Sequence, residues 1–345
     1  MTRVALVAVQ MRVTADDLAS PAAFAAWVDR HAAAAAGACA GADHRLVVFP
    51  ENVGALAMLA FAPARARRMA TVDRAIAVLA ASRPWALARA ALDHGTLSPR
   101  RAALLALAPP AADLARAAFS RAARRLRATV VGGSYLRAAP GGKLFNSSDT
   151  FDPSGRRVAT TAKVNLVPGL EDASPTGLGL ARGDADAVPI VRTEWGSVAT
   201  LICYDGFCEP HTRGERFAAV GPRVDAAGCD VIANPAANPW PWDAPWVFAE
   251  PGERLLRRDQ WRREGLAATL AGLHRARFGV TAHLVGRVLD RAFEGPSEIL
   301  ERTGGGVRVL ARAERADAAA VVAAVVDAGE VAVARAGRAG GGYTP

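Results

Sequence analysis

Glu51, Lys163 and Cys203 each stand directly after a run of residues suited to a β-strand: LVVFP precedes the glutamate, VATTA the lysine and VATLI the cysteine. In α/β sheets, ligands bind beyond the carboxyl ends of the strands, so three such strands can deliver a carboxylate, an ammonium and a thiol into one crevice. A thiol is a nucleophile only as thiolate and therefore needs a neighbouring base or a positive field. Glu51 is placed to take the proton and Lys163 to supply the field. The same ammonium would stabilise the oxyanion formed when sulfur attacks a carbon bonded to nitrogen, where one donor is commonly worth about 3 kcal/mol. The backbone N–H of Tyr204, one residue past the sulfur, is a natural second donor. A cysteine–histidine hydrolase fits less well, because none of the six histidines has a comparable strand-end setting. Singly, each residue has a plain structural reading: a small core thiol, a charge at a helix N-terminus, a solvated strand end. Their joint occurrence favours chemistry. Cys208 competes as nucleophile, whereas Cys39 and Cys229 read as packing residues.

Residue usage points the same way. Of 42 basic residues only Lys143 and Lys163 are lysine, and a compact ammonium whose pKa shifts on burial does work that a planar guanidinium does not. Lys143, in PGGKLF, reads as a turn residue, while Lys163 lies eight residues before Glu171. Asn52, Asn165, Asn234 and Asn238 lie beside the reactive segments; Asn146 does not obviously do so.

These side chains need an α/β frame. Strand-like runs are expected at Arg3–Gln10, Arg45–Pro50, Ala128–Leu136, Phe145–Phe151, Arg157–Ala162, Ala187–Val191, Ser197–Ile202, Asp230–Asn234, Gly279–Val285, Ser297–Leu300, Val307–Ala311 and Ala320–Val326. Helical spacing is expected at Pro21–Ala40, Glu209–Ala227 and Arg254–Phe278. The alternation indicates layered α/β architecture with mixed sheets, in one domain over residues 1–334, since no linker divides the chain. Residues 55–127, rich in Ala, Arg and Leu, read as a helical insertion broken at Pro84, Pro99 and Pro109-Pro110. Residues 335–345 read as a flexible tail.

Composition narrows the class. A chain of 345 residues that is 51% hydrophobic fills a sizeable core. The net charge of +9 comes from dispersed arginines without aromatic interleaving, which argues against nucleic acid. No apolar run of membrane-spanning length is evident. The four cysteines show no zinc spacing, and with the N-terminus too short in apolar residues for a signal peptide they fit a cytoplasmic protein.

The segments VVFPEN, KVNLVPGLE and LICYDGFCEP, supported by RATVVGGSY, LFNSSDTFDPSG, GCDVIANPAANPW and FEGPSEILE, resemble the nitrilase superfamily of carbon-nitrogen hydrolases, in the family's order over nearly the whole chain. The resemblance implies a nitrilase-like α-β-β-α sandwich, often a homodimer or higher homo-oligomer, with no metal or organic cofactor. It implies Cys203 as nucleophile, Glu51 as general base and later acid, Lys163 as stabiliser of the tetrahedral intermediate and Glu171 as a positioning group. Attack on an amide carbon, release of ammonia or amine and hydrolysis of a thioester would follow. Tyr204-Asp205-Gly206 resembles the amidase branch, favouring an amide or carbamoyl substrate over a nitrile. Acyl transfer from the thioester and a silent scaffold are the alternatives. Cys208 and His283 depart from the family's pattern. Tyr204, Asn234, Trp240 and Trp242 are candidate substrate contacts; Trp240, Trp242 and Trp246 read either as a pocket wall for an apolar acyl group or as anchors of their loop.

Overall fold

Why the strands form two facing sheets is visible in β1, Arg3–Val13, whose RVALVAVQMRV is buried at every position but Arg3 and Arg12. Such a run, apolar on both faces, belongs in the middle of a sheet covered on both sides. The computed structural model describes residues 2–329. In chain order β1 is followed by α1 (Pro21–Ala38), β2 (His44–Phe49), α2 (Val53–Leu56), α3 (Val72–Ala81), α4 (Pro84–His94), α5 (Pro99–Leu126), β3 (Thr129–Gly132), β4 (Tyr135–Ala139), β5 (Lys143–Phe151) and β6 (Arg157–Ala162). Then come β7 (Ile190–Arg192), β8 (Ser197–Thr200), α6 (Val220–Ala226), β9 (Val231–Ala236), α7 (Arg257–Glu264), α8 (Leu266–Ala271), β10 (Phe278–Val288), β11 (Arg291–Phe293), β12 (Glu298–Thr303), β13 (Gly306–Arg312) and β14 (Ala320–Asp327).

One sheet runs β14-β1-β2-β3-β5-β6, with β4 beside β5 as well; the other runs β7-β8-β9-β10-β12-β13. They meet where Met11–Val13 pair with Leu284–Gly286. Alternation sorts the side chains into layers. Val7, Val9, Val47, Phe49 and Val130 face a core shared with α1 and α5. Leu6, Ala8, Leu46, Val48 and Val131 face Val198, Val231, Ala233, Val280 and Ile299 of the other sheet. The outer face of that second sheet, with Ala199 and Ile232, is covered by Val220 and Val224 of α6 and Leu266 and Leu270 of α8. The result is the expected α-β-β-α sandwich.

Several boundaries differ from the sequence reading, each for a local reason. Pro84 and Pro99 do not break helices but open them at the first turn, where a missing N–H costs nothing. Helix α5 continues through Pro109 and Pro110, because its apolar face (Leu107, Ala111, Ala115, Phe119 and Leu126) is buried on the first sheet and outweighs the lost hydrogen bonds. By length and composition this helix is apolar enough to cross a membrane, contrary to the expectation that no run of that length exists; most of it lies buried. Its apolar face shares the first sheet's outer core with α1 and with Ala75 and Leu79 of α3. The strand expected over Ala128–Leu136 breaks at Gly133, whose φ of +62° lies in the left-handed region that favours glycine and whose added Cβ would lie 2.3 Å from the Pro50 carbonyl. The helix expected from Glu209 begins only at Val220: Glu215 accepts from Thr212 N and Tyr204 Oη, holding the preceding segment as a loop. The helix expected over Arg254–Phe278 is two short ones divided at Gly265, and Phe278 already pairs in the sheet. Strand β11 was not anticipated, and the expected tail at 335–345 lies outside the described residues.

Phe119 on α5 packs against Phe49 with ring centroids 5.1 Å apart, and it is 1% exposed. Phe119→Ala should therefore cost about 3–5 kcal/mol of unfolding free energy, read from urea midpoints. A loss below about 1 kcal/mol would mean that α5 is peripheral.

Candidate active site

Glu51, Lys163 and Cys203 all arrive from strand ends: Glu51 after β2, Lys163 after β6, and Cys203 two residues past the Leu201 N–H that still donates to Ala233 O at 2.9 Å. All are buried, with 2%, 1% and 5% of their surfaces exposed. Lys163 Nζ donates to Glu51 Oε1 at 2.7 Å and pairs with Glu171 Oε2 at 2.6 Å. Glu171 Oε2 also accepts from Val167 N at 3.0 Å, which fixes the carboxylate within its own loop.

The centre holds one residue that the sequence reading passed over. Asn146 Nδ2 donates to Glu51 Oε1 at 2.8 Å and to Glu171 Oε1 at 2.9 Å, tying together two carboxylates that would otherwise repel. It sits inside β5, and its carbonyl accepts the Lys163 N–H at 2.8 Å. Strand register alone reveals this placement. The LFNSSDTF segment was the available signal.

The turn at Cys203 is held by its neighbours. Cys203 opens a short 3₁₀ turn, Cys203–Gly206, at φ +49°, a left-handed conformation that costs a residue with a β-carbon roughly 1–3 kcal/mol. Asn234 Nδ2 donates to Leu201 O at 2.7 Å and Cys203 O at 3.1 Å, spanning the turn. Gly206 is required beside it, since an added Cβ would lie 2.8 Å from Asn234 Nδ2. Asp205 accepts from Asn165 N at 2.6 Å and Val164 N at 3.1 Å, fastening the Lys163 loop to the Cys203 turn. Burial lifts Asp205 to about 7 against the pull of those donors. Thus Asn234 acts here as a brace of the turn. The phenol of Tyr204 is likewise taken, donating to Glu215 Oε1 at 2.8 Å, accepting from His211 N, and stacking on the His211 ring at 3.8 Å. Any contact of Tyr204 with substrate falls to its backbone N–H.

Electrostatics follow from dryness. Burial, then the Glu51 charge, pushes the Cys203 thiol far above its ordinary value, with Lys163 opposing. Burial likewise raises Glu51, while Lys163 pulls it down. Burial would lower Lys163, but the two carboxylates win and hold the ammonium well above its usual range. Cys203 therefore rests as a thiol, beside a Glu51 carboxylate whose Oε1 accepts from both Lys163 Nζ and Asn146 Nδ2.

Trp240 and Trp242 pack against the apolar cluster of Cys203, Phe207 and Trp261 and so belong to the wall near the sulfur, whereas Trp246, 5% exposed, is an anchor of the loop. A cavity of about 670 Å³ lies between α3, the start of α5, residues 169–176 and Arg291, and Leu170 in its lining packs against the same apolar cluster. Cys208 is exposed, whereas Cys203 is buried. His283 lies inside β10 with neither ring nitrogen bonded.

Comparisons with known proteins agree with this geometry. Residues 3–213 match the family described as carbon-nitrogen hydrolase. A hydrolase of Schizosaccharomyces pombe is 32% identical over 124 residues, 35% of this chain, and the match spans 34% of that protein's length. An amidase from Nesterenkonia sp. superimposes with a TM-score of 0.54 at 16% identity over 96% of this chain and 92% of that one. Another structure of that amidase carries acrylamide added at the active-site cysteine. A carbon-nitrogen hydrolase from Helicobacter pylori gives a TM-score of 0.61 at 14% identity over 95% and 90% of the two chains. At such identities the likeness is one of fold.

The buried imidazoles give the site a pH signature. Burial, then the Arg257 charge, brings His211 to about 2 and His283 to about 3 from 6.5. Below pH 6.5 the unfolded chain protonates both rings while the native protein leaves them neutral, so stability is full above that pH and falls as pH drops towards the native values. The expected slope is about 1.4 kcal/mol per pH unit for each histidine. Urea midpoints between about pH 7 and pH 5 should fall less steeply for His283→Asn, by one histidine's share. An unchanged slope would place His283 in contact with water.

Proposed function

The chain belongs to the carbon-nitrogen hydrolase family, and we propose that it cleaves a carboxamide or carbamoyl group through a thioester on Cys203. The observation that carries this reading is the saturation of Glu51 Oε1 by Lys163 and Asn146, with Oε2 left for the sulfur proton. The Cys203 Sγ–H proton passes to Glu51 as sulfur bonds to the amide carbon, and the C=O π pair moves onto oxygen. Lys163 Nζ and the Tyr204 N–H stabilise that oxyanion. Collapse breaks the C–N bond, and the departing nitrogen takes the proton from Glu51 to leave as ammonia or amine. A water then gives its proton to Glu51 while its oxygen attacks the thioester, and expulsion of sulfur, reprotonated by Glu51, yields the carboxylic acid.

Lysine, not arginine, suits this position. Its ammonium is a point charge with three donors that reaches Glu51, Glu171 and a forming oxyanion together, whereas a guanidinium is planar and wider. A carboxamide is favoured over a nitrile by the resemblance of Tyr204-Asp205-Gly206 to the amidase branch, and the amidase among the structural neighbours supports the same choice.

Ammonia release from a panel of amides, carbamoyl compounds and nitriles tests the reading. Cys203→Ala should abolish release while leaving the thermal midpoint within a few degrees of the wild type. Lys163→Arg should lose on the order of 100-fold or more in kcat. Full activity in Cys203→Ala, or near-normal turnover in Lys163→Arg, would contradict the assignment.

A further inference from the structure

The most exposed large apolar side chains among the described residues are Trp85, Leu92 and Leu97, at 86%, 83% and 101% of full exposure. All three belong to one short stretch, helix α4 and the loop that follows it. On α4 the usual orientation is reversed. Trp85 and Leu92 are seven residues apart and so share one face, with Arg89 between them. That face is exposed, whereas Ala90 on the other side is buried and Leu87 and His94 are half-buried. Single apolar residues at a surface are ordinary, but a tryptophan and two leucines left in water within thirteen positions mark a surface with a partner.

Positive charge gathers in the same segment. Between Phe61 and Arg100 stand seven arginines against two aspartates, a surplus of five in a chain whose net charge is +9. Arg89 pairs with Asp93 at 2.9 Å and Arg100 with Asp73 at 3.2 Å, which uses both acids. Among the described residues, Arg65, Arg68, Arg74 and Arg83 are exposed and in no ion pair. Arg83 stands immediately before α4, two residues from Trp85, so cation and indole adjoin at the first turn. Helix α4 has 11 residues and is bent 98° from α3. At about 16 Å it is half as long as a hydrocarbon core is thick, so it can lie on a bilayer and cannot cross one.

We propose that α4 docks this protein on the surface of an anionic lipid bilayer, with Trp85, Leu92 and Leu97 entering the boundary between headgroups and acyl chains and the unpaired arginines facing the lipid phosphates. An indole suits that boundary, because its ring is apolar while its N–H reaches the headgroups. Arginines near an anionic surface add an attraction that salt screens. Three side chains bury little area, so the anchor is reversible and needs both contributions. A second copy of this chain on the same face would set one arginine surplus against another, which like-charge repulsion opposes. The docking surface does not rest on the hydrolase reading.

Co-sedimentation of the full chain with vesicles tests this, using phosphatidylcholine alone and phosphatidylcholine with about one third phosphatidylglycerol. Partitioning onto the anionic vesicles should exceed that onto neutral ones by about tenfold or more and weaken as salt rises. The double variant Trp85→Ser/Leu92→Ser should lose about tenfold or more while keeping its thermal midpoint, because both side chains are exposed. Arg83→Glu should lose about tenfold and carries the test where the double variant does not fold. Arg192→Glu reverses an exposed arginine of β7, in the other sheet, and should stay within about threefold of the wild type. Binding to neither vesicle, undiminished binding in Trp85→Ser/Leu92→Ser, or equal losses in Arg83→Glu and Arg192→Glu overturns the proposal. So does a dimer in sedimentation velocity that the double variant breaks while no vesicle is bound, which would assign the face to a second copy.

Discussion

The Lys163 ammonium, held between Glu51 and Glu171 in a site closed to water, is the interaction on which the rest depends. Breaking a buried pair by removing one partner costs about 3–5 kcal/mol because the remaining charge stays desolvated. The fold meets that constraint with more hydrogen bonds. Asn146 shares its amide between both carboxylates, Val167 N donates to Glu171, and the Lys163 backbone is fixed on both sides, its N–H to Asn146 O and its C=O to Gly183 N. The same dryness pushes both the Cys203 thiol and the Glu51 carboxyl above their ordinary values.

The two sheets serve this cluster by placing their strand ends together. Glu51 and Lys163 come from the first sheet and Cys203 from the second, and Asp205 joins the two by accepting N–H bonds from Val164 and Asn165. A facing pair of sheets with a dry interface between them fixes the relative height of those ends far better than loops alone would. The left-handed turns at Asn52 and Cys203, each beside a reactive residue, are sustained by side chains from other strands or turns: Ser134 for one and Asn234 for the other.

How much of this was legible in the sequence depended on whether the signal was local. The three strand ends were, because β-branched runs stop abruptly before Glu51, Lys163 and Cys203. Most strand boundaries fell within a few residues of expectation for the same reason. Asn146 was not, since a residue in the middle of a strand announces neither its face nor its partner across the sheet; only the pairing of β5 with β6 brings it to Lys163. Helix α5 was misread because Pro109-Pro110 is a strong local stop signal that burial of its apolar face overrides. The side-chain amide of Asn234 bonds the carbonyls of the Cys203 turn, and the Tyr204 phenol bonds Glu215 and the His211 N–H, placements that only the folded chain reveals.

The central claim is that carbon–nitrogen cleavage passes through a covalent bond to Cys203. Acid-quenched mass spectrometry during turnover of an amide addresses it directly, through the intact mass and the modified peptide. The account predicts an acyl adduct on the peptide containing Cys203, labile to hydroxylamine and absent once substrate is exhausted. Ammonia release without any adduct, or an adduct carried by Cys208, would contradict it.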